Sequence, residues 1–258
     1  MVAVLKIIAT MLWVMGWAAA GWPVAWLSGA KADARIMWMM QRCFSGVLRI
    51  VGVRLERVGR LCPLRPLLLV SNHTTYLDIA VLGASAPVHF TPKTEIADWP
   101  LIGMCSRLLR SIFIDRRISK TGENRRNLRD ALAAGKVISL FPEGTTNDGK
   151  RLHPFRSSYF SLAEERFGGA ALTVQPAAIV YTHINGLPID STQWPLVAWY
   201  GDMNMLTHAR RLLSLGSLRA KIVFGAPISV DDLNPDEPSS RKALAAQCER
   251  AVQDLLRA

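Results

Sequence analysis

From Ile7 to Ala30 the chain runs for 24 residues without a charged side chain, and about 20 such residues are enough to cross a bilayer as a helix. Nothing else in the sequence constrains the fold as tightly, because a stretch this apolar has to be buried in lipid or against protein. Gly16, Gly21 and Pro23 interrupt it, and Trp13, Trp17, Trp22 and Trp26 are spread along it. Tryptophan favours the headgroup level, so a tilted span and a helix lying in one leaflet both fit. Lys6 and Ala18-Ala19-Ala20 also resemble the start and cleavage site of a secretory signal. The apolar character, however, continues through Leu27, beyond the point where a signal ends.

Lys31 to Arg57 follows with bulky apolar residues at 36, 39, 40, 44, 47, 48 and 51, and arginines at 35, 42, 49 and 54 between them. That pattern predicts an amphipathic helix with basic flanks, and the positive-inside rule keeps this side in the cytoplasm. The formal charge of +11 is concentrated in two stretches: Lys31 to Pro66 carries +6 and Arg107 to Asp130 carries +5. Such a surface suits anionic lipid or phosphorylated ligands. No helix-turn-helix, RNP or zinc-finger signature accompanies it, so nucleic acid is not the expected partner. The four cysteines, at 43, 62, 105 and 248, form no CxxC pair and have no histidine at ligand spacing. They are read as reduced buried thiols, and no metal site is expected.

Beyond residue 60 the pattern alternates. Apolar strand candidates are 67–70, 88–91, 111–114, 137–141, 172–181 and 221–224. Helix candidates are 76–84, 101–110, 124–134, 157–167, 205–215 and 239–257. Strands alternating with helices predict an α/β fold, a mixed and largely parallel sheet flanked by helices. The Asp231 to Ser240 stretch reads as a surface loop feeding the last helix. The expected organisation is a membrane anchor with its amphipathic helix over 1–60 and a catalytic domain over 61–258.

In sheets of this class, ligands bind at the carboxyl ends of the strands. Asn72-His73, Asp115-Arg116 and Pro142-Glu143-Gly144 each follow a strand candidate directly, so one rim can hold all three. His73 falls in the turn of LLLVSNHTTYLD, 67–78, five residues before Asp78. Residues five apart on one helix diverge, so the two converge only if the helix begins between them. If so, a carboxylate on one ring nitrogen would fix the tautomer that leaves the other free to take a proton. Alternatively, Thr75 to Asp78 is a capping box and His73 an ordinary loop residue; the two readings are compatible. His89, His153, His183 and His208 have no partner at catalytic spacing and are expected to be structural or exposed.

Four blocks in order make the chain resemble the PlsC-type glycerolipid acyltransferases, the lysophosphatidic acid acyltransferase family. They are NHTTYLD (72–78), SIFIDR (111–116), FPEGT (141–145) and VQPAAIVY (174–181), with PKTEIADWPLIG (92–103) resembling a further segment between the first two. The resemblance implies that His73 is the general base and Asp78 its orienting partner, with the acyl group passing directly from a thioester to an alcohol. It implies that Arg116 binds the acceptor phosphate and that Glu143, Gly144 and Thr145 shape the acceptor site, Glu143 by bonding acceptor hydroxyls. Lys93 is a weaker substrate-binding candidate, since an ion pair with Glu95 explains it equally well. Two departures concern the acceptor. Thr146 stands where the third block often ends in arginine, and Phe155-Arg156-Ser157-Ser158 keeps the cation of a Phe-Lys-x-Gly segment but loses its glycine.

The expected function is therefore transfer of a fatty acyl chain to 1-acyl-sn-glycerol 3-phosphate, forming phosphatidic acid. Lyso-ornithine lipid, whose free hydroxyl belongs to a fatty acid, is the alternative acceptor, because Trp199 to Met203 resembles a segment of that bacterial branch. A non-catalytic lipid-binding protein is the alternative of another class; the absence of a Gly-x-Ser-x-Gly elbow argues against a hydrolase. No cofactor is expected beyond acyl carrier protein or coenzyme A as carrier of the donor thioester. The expected location is the inner membrane, on an anionic surface, with the catalytic domain facing the cytoplasm.

Overall fold

The computed structural model describes residues 1–27, 32–115, 121–232 and 240–257. Its apolar beginning is helix α1 (Val2–Leu27), followed by the amphipathic α2 (Ala32–Val51). The two run antiparallel. Lys6 Nζ donates to Val51 O at 2.7 Å, Trp13 Nε1 to Cys43 O at 2.9 Å, and the Trp17 and Trp38 rings meet edge-on at 6.2 Å. The hairpin touches the rest of the protein at both of its ends. At one end Lys6 also donates to Leu215 O at 2.8 Å; at the other, Gly21 packs against Leu108, and Asp33 pairs with Arg110. By length and composition Val2–Trp26 is long and apolar enough to cross a membrane, yet only 6% of its most apolar stretch is buried in the protein. Its outer face, including Leu5, Ile8 and Leu12, is open.

Gly52, with φ +92°, turns the chain from α2 into strand β1 (Val53–Val58), placing this segment in the sheet rather than at the end of a helix running to Arg57. The sheet thus reaches back into the segment assigned to the anchor. The following strands are β2 (Leu67–Ser71), β3 (His89–Phe90), β4 (Val137–Leu140), β7 (Thr173–Ile184) and β9 (Leu218–Phe224), in the order β1-β9-β7-β2-β4-β3. β5 (Arg166–Phe167) and β6 (Ala170–Ala171) form a separate antiparallel hairpin, while β8 (Leu187–Pro188) and β10 (Ile228–Ser229) pair with β7. All pairings along the main order are parallel except β7 with β9, so the expected mixed, largely parallel sheet is what forms.

Both faces of the centre are covered, which explains why β2 is an unbroken apolar run rather than an alternating one. Leu67 and Leu69 face a core shared with α2 and α3 (Leu77–Ser85). Leu68 and Val70 face a second core with α5 (Thr121–Ala133) and α7 (Ser240–Arg257). Helices α4 (Pro100–Leu108) and α6 (Met205–Leu213) also contact α1.

Two expected elements differ. Residues 157–167 form a 3₁₀ turn over Ser157–Phe160 and then enter β5, not a helix. Phe160, Ala163 and Phe167 have helical spacing because they pack in the second core, which an irregular segment can do equally well. Residues 111–114 form no regular strand. They run as an extended edge beside β3, with Ile112 N donating to Phe90 O and Ile114 N to Pro92 O, both at 2.9 Å. Most of the expected surface loop at 231–240 lies outside the described residues.

Candidate active site

Strands β2 and β4 are parallel neighbours, so the chain leaves both at one rim. Asn72 determines how it leaves β2. Its side chain takes the place of a backbone rung: Oδ1 accepts from Ile179 N at 2.8 Å and Nδ2 donates to Ile179 O at 2.9 Å. The amide thereby satisfies two groups of β7 that a departing backbone would orphan, and His73 can turn onto the rim.

His73 is held on three sides. Its Nδ1 meets Asp78 Oδ2 at 2.8 Å, its ring stacks on Phe141 with centroids 3.9 Å apart and planes 13° apart, and its backbone N–H donates to Glu143 Oε1 at 2.6 Å. Helix α3 begins at Leu77, between His73 and Asp78, which is the condition for the two to converge. Of the capping reading only the Asp78 half forms: its Oδ2 accepts from Thr74 N at 2.6 Å and Thr75 N at 2.9 Å, whereas the N-cap is Tyr76 without a side-chain cap bond and Thr75 Oγ1 has no partner among the described residues. Tyr181 closes the other oxygen, its hydroxyl donating to Oδ1 at 2.7 Å. Asp78 is 0% exposed and accepts four hydrogen bonds, whereas the His73 side chain keeps 18% exposure. With Nδ1–H donated to the carboxylate, the other ring nitrogen carries the lone pair, and an alcohol proton is what such a nitrogen takes. Burial, and then the Asp78 charge beside it, push the Tyr181 hydroxyl well above its ordinary range, so it serves as a donor.

Glu143 occupies a place the sequence did not suggest. It is 2% exposed, and its oxygens are engaged within the protein. Oε1 accepts from His73 N and Asn147 Nδ2, and Oε2 from Asn147 Nδ2 and His153 N at 2.8 Å. Burial raises its pKa against the opposing pull of those donors. With these bonds the carboxylate braces the β4 turn against the His73 loop. Gly144, at φ +76°, makes the left-handed step of that turn and donates its N–H to Phe141 O at 3.0 Å. Thr145 stands exposed beside it.

Lys93 lies exposed past the carboxyl end of β3, bridged to Ile114, and among the described residues it is not ion-paired with Glu95. Arg116 lies outside the described residues. Among those described, no three His, Cys, Asp or Glu side chains converge to hold a metal ion. His208, read as structural or exposed, is buried, and its Nδ1 meets Tyr76 OH at 3.1 Å.

Asn147 is the residue sequence reasoning missed, though the Asn-Asp-Gly turn at 147–149 was there to find. Buried to 3% exposure, it donates its backbone N–H to His73 O at 2.8 Å, holds both Glu143 oxygens, and accepts from Thr74 Oγ1 at 3.3 Å. Asn147→Ala strips the buried carboxylate of a side-chain donor and is expected to cost about 1–3 kcal/mol of stability. The same change should slow turnover by roughly tenfold, since small displacements of positioned groups are costly. Thermal melts and initial rates check both.

Comparison with known proteins points the same way. A family model described as Acyltransferase matches residues 52–180. The lyso-ornithine lipid O-acyltransferase of Brucella abortus (strain 2308) is 40% identical over 214 residues, 81% of this chain and 78% of that protein. The 1-acyl-sn-glycerol-3-phosphate acyltransferase of Neisseria meningitidis serogroup B is 30% identical over 211 residues, 81% of this chain and 76% of that one. Among solved structures, the 1-acyl-sn-glycerophosphate acyltransferase PlsC of Thermotoga maritima shares the fold. Its TM-score is 0.62 at 17% identity, with 97% of each chain covered.

Proposed function

The chain belongs to the PlsC-type acyltransferase family, and from that premise we propose that it transfers a fatty acyl chain from a thioester to the free hydroxyl of lyso-ornithine lipid. The observation that carries acyl transfer is the His73–Asp78 pair at 2.8 Å, with the ring clamped by Phe141 and Glu143. His73 Nε2 takes the hydroxyl proton as the oxygen attacks the thioester carbonyl. The tetrahedral intermediate expels the thiolate, which receives that proton back, leaving an ester and a free thiol. Asp78 holds the imidazole and compensates its transient positive charge. No enzyme-bound acyl group is required.

The acceptor is chosen by kinship: 40% identity to a lyso-ornithine lipid acyltransferase against 30% to an enzyme of 1-acyl-sn-glycerol 3-phosphate. This reverses the order set by the motifs alone, and the phosphate acceptor remains the second reading. Acyl carrier protein and coenzyme A are both anionic donor carriers suited to the basic surface. Purified protein in detergent, offered both acceptors with each donor thioester, is expected to acylate lyso-ornithine lipid at the higher kcat/KM. Preference for the phosphate ester would replace the substrate, and failure on both would remove the enzymatic reading.

The hairpin of α1 and α2 supports a membrane location in one leaflet. A helix tied to the protein at Lys6 and again at Gly21 has no free length with which to cross. Its open face, including Leu5, Ile8 and Leu12, would enter the headgroup and acyl boundary from the cytoplasmic side. Ile8→Glu combined with Leu12→Glu should weaken flotation with anionic vesicles by at least about tenfold, because two apolar anchors are each worth about 1.5–3 kcal/mol. Unchanged flotation would exclude this face as the anchor.

A further inference from the structure

Arg156 occupies a position that its place in the sequence does not reveal. Its backbone is clamped to the turn that braces His73: Arg156 N donates to Pro142 O at 3.0 Å, while the preceding Phe155 N donates to Glu249 Oε2 at 2.8 Å. The side chain then lies over Gly144. A Cβ on Gly144 would stand 3.1 Å from Arg156 Nε and 3.2 Å from its Cζ, so the bare glycine is what lets the guanidinium rest there. One residue away, Glu143 touches the His73 backbone.

Among the described residues no carboxylate forms an ion pair with Arg156, which is exposed, and the nearby Glu249 carboxylate is engaged by the Phe155 N–H. The carboxylate nearest along the turn, Glu143, is buried and filled by its own donors. An exposed guanidinium resting on the turn whose Glu143 holds the His73 backbone can receive an oxyanion, since its planar fork matches carboxylate and phosphate geometry. Thr146, two residues beyond Gly144, brings no charge of its own.

We propose that Arg156, resting on Gly144, recognises the acidic group of the acceptor lipid, a carboxylate or a phosphate, and so determines acceptor specificity. This rests on the acyl-transfer reading of the same site. It assigns Arg156 to ground-state binding, so its loss should appear in KM and leave the chemical step alone.

The test uses full-length protein in detergent, with Arg156→Gln, which keeps a side chain over Gly144, and Arg156→Lys, which keeps the charge without the fork. Acceptors are offered in pairs: lyso-ornithine lipid with its carboxyl methyl ester, and 1-acylglycerol 3-phosphate with 1-acylglycerol. For the acidic member of the pair the wild type uses, Arg156→Gln should raise KM by about tenfold or more with kcat within about threefold, and Arg156→Lys should fall between. Transfer to the neutral member should be unchanged. Equal losses on both members would mean that Arg156 merely packs the turn, and unchanged KM on the acidic member would mean that it binds nothing; either overturns the proposal. The pair on which the effect falls distinguishes carboxylate from phosphate. A wild type inactive on all four acceptors would instead overturn the proposed function itself.

Discussion

His73→Ala is expected to reduce kcat for acyl transfer by about a thousandfold, within the range a positioned general base contributes. The protein should stay folded and bound to membranes. Among the described residues, the imidazole is the group on this rim whose nitrogen lone pair is oriented by a carboxylate: Nδ1 is committed to Asp78 at 2.8 Å, and stacking on Phe141 prevents the ring from tilting away. Alanine leaves those supports in place, because Glu143 and Asn147 bind the backbone of residue 73 and not its ring. The loss should therefore be confined to turnover. Initial rates at saturating acceptor, with circular dichroism and vesicle flotation as controls, decide it. Residual transfer within tenfold of wild type would remove His73 from the reaction.

Asp78→Ala carries the second large effect, and it should be felt in stability as well as rate. Four donors converge on this carboxylate: His73 Nδ1, Thr74 N and Thr75 N on Oδ2, and Tyr181 OH on Oδ1. All lose their acceptor at a site with no exposure, and removing one partner of such a buried network costs about 3–5 kcal/mol. Asp78→Asn separates the two consequences. Its amide oxygen can sit at the Oδ2 position, keeping the three N–H donors and the His73 tautomer, while Tyr181 rotates its hydroxyl to accept from the new NH₂. What the asparagine lacks is the charge that stabilises the imidazolium. Thermal melts should therefore show Asp78→Asn well above Asp78→Ala, with transfer in Asp78→Asn still lowered by about a hundredfold or more. Equal melting of the two variants would mean that the hydrogen-bond account of this carboxylate is wrong.

Legibility in the sequence followed the range of the interactions. β2, β4 and the centre of β7 are legible because a strand covered on both faces is a continuous apolar run. β1 is not, because Val53, Leu55 and Val58 continue the apolar pattern of α2 closely enough to hide the break at Gly52. The segment 157–167 misled in the opposite sense, since its buried side chains keep helical spacing without a helix. His73 and Asp78 were recognisable together because their convergence needs only a helix start between them.

The amino-acid sequence by itself determined the ordered blocks, the identity of the candidate base and its carboxylate, and a largely parallel sheet with an apolar N-terminal segment. All of these rest on residues close together in the chain. Only the tertiary structure decided how Glu143 and Asn147 are used, that Tyr181 completes the shell of Asp78, that Arg156 rests on Gly144, and that α1 lies along the protein. The contacts responsible join residues 70 and 103 positions apart, as His73 with Glu143 and Asp78 with Tyr181. A buried polar group must find its partner wherever the fold brings one, and sequence spacing does not record where that is.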